Sequence, residues 1–217
     1  MENNVSKEEK ISRLFLLSIK KLNKSFLSES KMKDFLIKKG ANKEEVVEVL
    51  EKLKCYSLIN EDELIENILS LADQKHYGYN RIILMLKERQ INEHKINKII
   101  KDENRELTQA KEMTKTLVKR YKNKNTVNLK RNVYWSLIRY GFDEIIASNI
   151  SSSVYNSPQQ ELNVLKLDYD KLFSSSSRKV KGKELDNKIK KALINKGYKL
   201  DDINKVVFKE RDEYEIN

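Results

Sequence analysis

Apolar residues recur along this chain at spacings near three and four, as in Val46, Val49, Leu50 and Leu53, or Leu64, Ile68 and Leu71. At 3.6 residues per turn each such set shares one face, so the pattern predicts amphipathic helices. Polar residues mark where they start. Ser6, Asn42 and Asn60 each stand three residues before a glutamate (Glu9, Glu45, Glu63), the spacing of a capping box, and Asn92 and Asp143 are further N-cap candidates.

The pattern also repeats. A shift of 50 residues lays Leu14 on Leu64, Met32 on Ile82, Phe35 on Met85, Leu36 on Leu86, Val46 on Ile96, Val49 on Ile99 and Leu50 on Ile100. A shift of 51 carries Ile82 to Val133 and Leu86 to Leu137, and a shift of 56 carries Val133 to Ile189, Leu137 to Leu193 and Gly141 to Gly197. Self-similarity at such a period marks stacked supersecondary units that share a core. The expected fold is all-α: an elongated, curved tandem array of four three-helix repeats, a helical solenoid, with copies at residues 1–56, 57–104, 105–156 and 157–217. The middle helix of each copy ends at Gly40, Gln90, Gly141 or Gly197. Glycine suits that place because the residue after a helix often turns left-handed, which penalises other side chains. Gln90 breaks the pattern and implies a different stop or local strain. Ser151–Ser153 through Pro158 separates copies three and four, and Ser174–Ser177 with Arg178–Gly182 reads as a mobile basic loop.

Composition fits this picture. Five glycines and one proline in 217 residues are too few turn formers for an all-β chain. The single cysteine, Cys55, excludes an internal disulfide and suits a reducing compartment; with Leu53 and Leu58 nearby it is expected to be buried. No apolar run is long enough to cross a bilayer, and Met1–Asn4 lacks the pattern of a signal peptide, so the expected location is the cytoplasm. The net charge of +11 is uneven, with 19 Lys/Arg against 16 Asp/Glu in residues 1–100 and 25 against 17 in the remainder. An excess of that kind favours a polyanionic partner, either nucleic acid or an acidic protein surface.

Several residues carry a family likeness. Ile59-Asn60-Glu61-Asp62-Glu63-Leu64-Ile65, then Lys75-His76-Tyr77-Gly78-Tyr79-Asn80-Arg81-Ile82, then Leu86-Lys87-Glu88-Arg89-Gln90-Ile91 resemble successive motifs of the RecX family of regulatory proteins. The likeness is best over residues 10 to 150, and the fourth copy resembles the extension of longer members. His76 and Gln90 stand where the family pattern has glycine, and Asn60 where it has aspartate. The resemblance implies a protein that binds the RecA–DNA filament and restrains its recombinase, ATPase and coprotease activities; a monomer is expected. The alternative is a general basic helical protein that holds single- or double-stranded DNA, or RNA, without RecA specificity.

The repeat register selects a basic set. Lys31, Arg81 and Lys188 occupy the start of the middle helices, Lys39, Arg89 and Lys196 lie eight residues on, and Arg131 and Arg139 are the contributions of copy three. Eight residues rotate by about 80° net, so both sets adjoin on one face and stacked copies would form a stripe. It would meet an acidic filament surface or DNA phosphate; the plainer reading is a solvated face with cations at helix C-termini. Trp135 aligns with Asp34 and Lys191, so a partly exposed contact ring competes with inter-repeat packing. Tyr77 and Tyr79 flank Gly78, where base stacking competes with a packed turn. Chemistry is poorly supported: His76 and His94 lie 18 apart, Asp168 and Asp170 face different ways, and neither a nucleophile elbow nor a phosphate loop occurs. No catalytic residue, metal or cofactor is expected.

Overall fold

The computed structural model describes residues 6–215, with side chains to Val207. Among these residues there are twelve α-helices and no strand. The fold divides into two compact units, residues 1–109 and 110–217, with the boundary inside a helix.

The first unit holds α1 (Lys7–Leu22), α2 (Glu29–Lys38), α3 (Lys43–Cys55), α4 (Glu61–Gln74), α5 (Tyr79–Glu88), α6 (Glu93–Ile96) and the start of α7 (Glu103–Arg120). The helices α1, α2 and α3 pack on one another around Ile11, Leu14, Met32, Leu36, Val46, Val49 and Leu53. A separate core beneath α4, α5 and α6 is formed by Leu64, Ile68, Ala72, Ile82, Met85, Leu86, Ile91 and Ile96. The second unit holds the rest of α7, then α8 (Thr126–Arg139), α9 (Glu144–Ser153), α10 (Pro158–Ser176), α11 (Gly182–Asn195) and α12 (Leu200–Glu215). There α8 packs on α9, and α10, α11 and α12 enclose Val164, Leu165, Tyr169, Leu185, Ile189, Leu193, Tyr198 and Ile203.

Local sequence accounts for the helix ends. Ser6 with Glu9 and Asn42 with Glu45 form complete capping boxes, while Asn60, Asn92 and Asp143 accept backbone N–H groups at their helix starts. Glu45 also accepts from Lys10 Nζ at 2.9 Å. That bond, and the one from the Asn42 amide, hold the Glu45 carboxyl below its usual range. A depressed carboxyl contributes stability that is present above its unfolded value, about 4.3, and lost as pH falls through the folded one. Glu45→Gln is therefore expected to flatten the acid limb of the stability profile, measured as denaturation midpoints between about pH 6 and pH 3.

The helices α2, α5, α8 and α11 end alike. The amides of Ala41, Ile91, Phe142 and Tyr198 donate to the carbonyls of Leu36, Leu86, Leu137 and Leu193, closing the same six-residue turn. Gly40, Gly141 and Gly197 take positive φ there, and Gln90 does so at 57° despite its side chain. His76, the other glycine substitute, lies at 53°. Each gains a side-chain partner: His76 Nδ1 donates to Gln109 Oε1 at 2.5 Å, and Gln90 Nε2 donates to Asp34 at 3.2 Å. The Gln90 bond is exposed and weak, so the left-handed penalty outweighs it. Gln90→Gly is expected to stabilise the first unit by about 0.5–1 kcal/mol, read as a rise in the midpoint of chemical denaturation.

Three expectations fail. The third helix of residues 57–104 is only the four-residue α6, and Ile100, aligned by register with buried Leu50, is 88% exposed. Its apolar spacing matches but its backbone turns away, because Asp102 accepts from Asn104 and Arg105 and starts α7. Cys55 is exposed: it follows Leu53 by two residues, about 200° around α3 from the buried face. Ser174–Ser176 are helical, the last residues of α10, and the basic turn that follows them is short.

Candidate functional site

Three junctions share one device. The first amide of α2, that of Glu29, donates to Glu61 of α4 at 3.3 Å. The first amide of α5, that of Tyr79, donates to Glu106 of α7 at 2.9 Å, and the first amide of α8, that of Thr126, donates to Glu161 of α10 at 2.9 Å. In each case a carboxylate from a later helix satisfies an orphan donor at the positive end of an earlier one. A second device accompanies two of them. Ser28, the N-cap of α2, donates its hydroxyl to the carbonyl of Arg89, the C-cap of α5. Asn125, the N-cap of α8, donates Nδ2 to the carbonyl of Lys196, the C-cap of α11, at 2.7 Å.

These bonds decide where the basic residues fall. Lys31 and Arg81 are in the first turn of α2 and α5, whereas Lys188, expected at the start of its helix, lies further along α11, and Arg131 lies further along α8. In the first unit, Arg89 is brought to the N-terminus of α2, in whose first turn Lys31 sits. Arg81 lies 4.0 Å from Glu88, and the Lys39 ammonium stands 5.8 Å from the Phe35 ring centroid. In the second unit, Arg131 and Lys196 line one cleft of about 380 Å³, while Lys188 and Arg139 do not line it.

That cleft is built from the loop before α8, the first two turns of α8, one face of α10 and the end of α11. Lys124, Arg131, Lys171 and Lys196 surround it with Asn123, Asn128, Asn132 and one carboxylate, Asp168. Its walls are tied together. Asn128 Nδ2 donates to Asn125 Oδ1 at 2.8 Å, and Arg131 donates to Asn128 Oδ1 at 2.7 Å. Lys196 Nζ lies 2.8 Å from Asp168, whose other oxygen accepts from the Tyr198 hydroxyl at 2.8 Å. Burial, reinforced by Asp168, pushes the Tyr198 phenol far above its usual range, so it stays a neutral donor. Sequence reasoning missed Lys124, Lys171 and Asn128, because it followed only the basic positions that recur from one middle helix to the next.

Trp135 is 58% exposed on α8, one turn beyond Arg131, with its ring edge-on to Tyr134 at 5.0 Å. Burial and Glu144 raise the Tyr134 phenol. Tyr77 is half-buried against the α4–α5 core, and the hydroxyl of Tyr79 donates to the Ile99 carbonyl at 3.1 Å. No group of three or more His, Cys, Asp or Glu residues that could hold a metal occurs among the described residues. No helix among them is long and apolar enough to cross a membrane.

No protein-family model matches the chain. Its relatives are nonetheless consistent. The regulatory protein RecX of Oceanobacillus iheyensis is 22% identical over 209 residues, 94% of this chain and 76% of the relative. The RecX of Streptococcus agalactiae is 26% identical over 216 residues, 92% of this chain and 81% of its own length. The RecX of Staphylococcus saprophyticus is 32% identical over 124 residues, covering 56% and 41%. A crystal structure of regulatory protein RecX shares the fold, with a TM-score of 0.55 at 19% identity over 68% of this chain and 74% of the other. With the Lys75–Ile82 motif at the α4–α5 turn and agreement along most of the sequence, the chain is similar to the RecX regulatory proteins in sequence and in fold.

Proposed function

We propose that this protein regulates a RecA recombinase by binding its filament on DNA, restraining ATP hydrolysis, strand exchange and coprotease action without chemistry of its own. Beyond the family, the observation that carries this reading is the pairing of basic residues at helix junctions. Arg89 is brought to the helix start that bears Lys31, and Arg131 and Lys196 share a cleft. Cations held by a hydrogen-bonded scaffold suit a repeating polyanionic surface better than randomly solvated lysines do. We also read the helices as four copies of a three-helix unit, at residues 1–56, 57–104, 105–156 and 157–217. The recurrence of the glutamate junction at Glu61, Glu106 and Glu161 supports that division.

The test is ATP hydrolysis by the cognate RecA on single-stranded DNA, with this protein well below the recombinase concentration. Strong inhibition is expected. Reversing charge at Arg81, Arg89 and Arg139 together is expected to raise the half-inhibitory concentration roughly tenfold or more. Unchanged inhibition by that triple variant would remove the basic residues from the contact. A second reading, a nucleic-acid-binding protein without recombinase specificity, is favoured by the cleft; it predicts tight, salt-sensitive binding to bare DNA and no inhibition.

A further inference from the structure

We propose that the second unit holds a single-stranded nucleic acid directly, with a backbone phosphate in the cleft of Lys124, Arg131, Lys171 and Lys196 and a base stacked on Trp135. This rests on the reading of the basic surface as a polyanion contact, and not on the recombinase being the partner.

Charge distribution directs attention to this unit. Residues 110–217 carry 23 Lys/Arg and 14 Asp/Glu, against 21 and 19 in residues 1–109, so nearly all the net charge of +11 resides there. Within the cleft four cations face one carboxylate, and Asp168 is already engaged by Lys196 and Tyr198. The ammonium groups of Lys124 and Lys171 make no hydrogen bond or ion pair with the described residues, and both side chains are exposed. Arg131 is different, since its bond to Asn128 aims the guanidinium while leaving further N–H donors for an anion. A cleft of about 380 Å³ accepts a phosphodiester group with its water, yet its polar lining has no apolar floor for a base.

The base platform lies beside it. Trp135 follows Arg131 by four residues, so its ring stands one helical turn, about 6 Å, along the same side of α8. Arg139 continues that line one turn further. Successive nucleotides in an extended single strand are spaced on a similar scale. A duplex would present no open base face to an indole on a convex helix, whereas a single strand does. An acidic protein segment could neutralise the cleft, but would leave the exposed indole unexplained.

Trp135 is the chain's only tryptophan, so intrinsic fluorescence reports this position alone. The experiment titrates the intact protein with labelled oligo(dT), following anisotropy and tryptophan emission, at several salt concentrations and without recombinase. Binding with quenching is expected. An oligonucleotide lacking bases should still bind the cleft but leave emission unchanged. Lys124→Ala with Lys171→Ala is expected to weaken binding roughly tenfold and to reduce the slope of log affinity against log salt by about 1.4. Trp135→Ala is expected to weaken binding by roughly fivefold to a hundredfold with the slope unchanged. Lys20→Ala with Lys24→Ala, exposed positions in the first unit, gives a matched loss of charge. Circular dichroism checks that each variant folds.

The inference is overturned if oligo(dT) binds without quenching, or if the cleft variant weakens binding no more than the matched control. It is also overturned if an oligoglutamate of equal charge binds as tightly as the oligonucleotide, which would make the cleft a protein contact. Oligonucleotide binding without inhibition of the recombinase would sink the filament reading alone. Inhibition without oligonucleotide binding would sink this inference alone.

Discussion

Replacing Gly197 with alanine is expected to destabilise the second unit by roughly 2–4 kcal/mol. Two costs add at this position. Its φ of 93° lies in the left-handed region, where a side chain costs roughly 1–2 kcal/mol. An added Cβ would also meet Val127 of α8, with Cγ2 at 2.9 Å and Cβ itself at 3.1 Å. Because Val127 Cβ is fixed to the helix, a rotamer change does not clear the clash, and α8 or the end of α11 must shift. That shift would strain the Asn125 bond to the Lys196 carbonyl one residue away. Gly40 is the control. It has the same backbone role at φ 84°, but nothing lies within 4 Å of its notional Cβ, so only the roughly 1–2 kcal/mol conformational cost applies. Denaturation curves followed by circular dichroism, with Trp135 emission reporting the second unit, measure both. Equal losses at the two glycines would mean that the close approach imposes no constraint.

The second large effect is expected at Glu106. This carboxylate is 1% exposed, and both its oxygens accept from the Tyr79 amide, at 3.2 and 2.9 Å. The α5 helix begins at Gly78, which offers no side-chain cap, so the carboxylate supplies from another helix what a serine or asparagine supplies elsewhere. Glu106→Ala is expected to cost the first unit about 2–3 kcal/mol, combining a charge-assisted hydrogen bond with the loss of favourable charge at the helix start. Glu61→Ala should cost about 1 kcal/mol or less, because the α2 helix keeps its own cap, Ser28, and the Glu61 bond is longer. Amide hydrogen exchange gives the sharper readout: protection should fall in the first turn of α5 in the Glu106 variant, and hardly at all in α2 in the Glu61 variant. Equal effects at both positions would contradict the capping account.

Much of this architecture is legible in the amino-acid sequence. Helix starts at Ser6, Asn42, Asn60, Asn92 and Asp143 follow from local side-chain chemistry, and the stops at Gly40, Gly141 and Gly197 from backbone sterics. For Trp135 the sequence leaves both an exposed ring and inter-repeat packing open, and its exposure is known only from the structure. What fails depends on direction and distance. The apolar spacing of Ile99 and Ile100 matches a buried pair, but spacing alone does not say whether the backbone continues as a helix to use it. For Cys55, general burial of the residue type misleads, because two positions past Leu53 the helix faces water. The glutamate junctions leave no sequence signal, since Glu61 is the first residue of its helix whereas Glu106 and Glu161 are each the fourth.

The sequence by itself determined that the chain is helical and where many of its helices start, because these depend on contacts between residues at most a few positions apart. It also determined that the molecule is basic and that the excess is concentrated toward the C-terminal half. Only the tertiary structure decided which cations act together. The register would make Arg131 and Lys196 members of a long stripe, but they line one cleft, where Asn125 bonds a carbonyl 71 residues away. Lys124 and Lys171 join them from the loop before α8 and from α10, away from the middle helices that the stripe follows. Electrostatic focusing depends on separations of a few ångströms across segments distant in sequence, which periodicity along one helix does not encode.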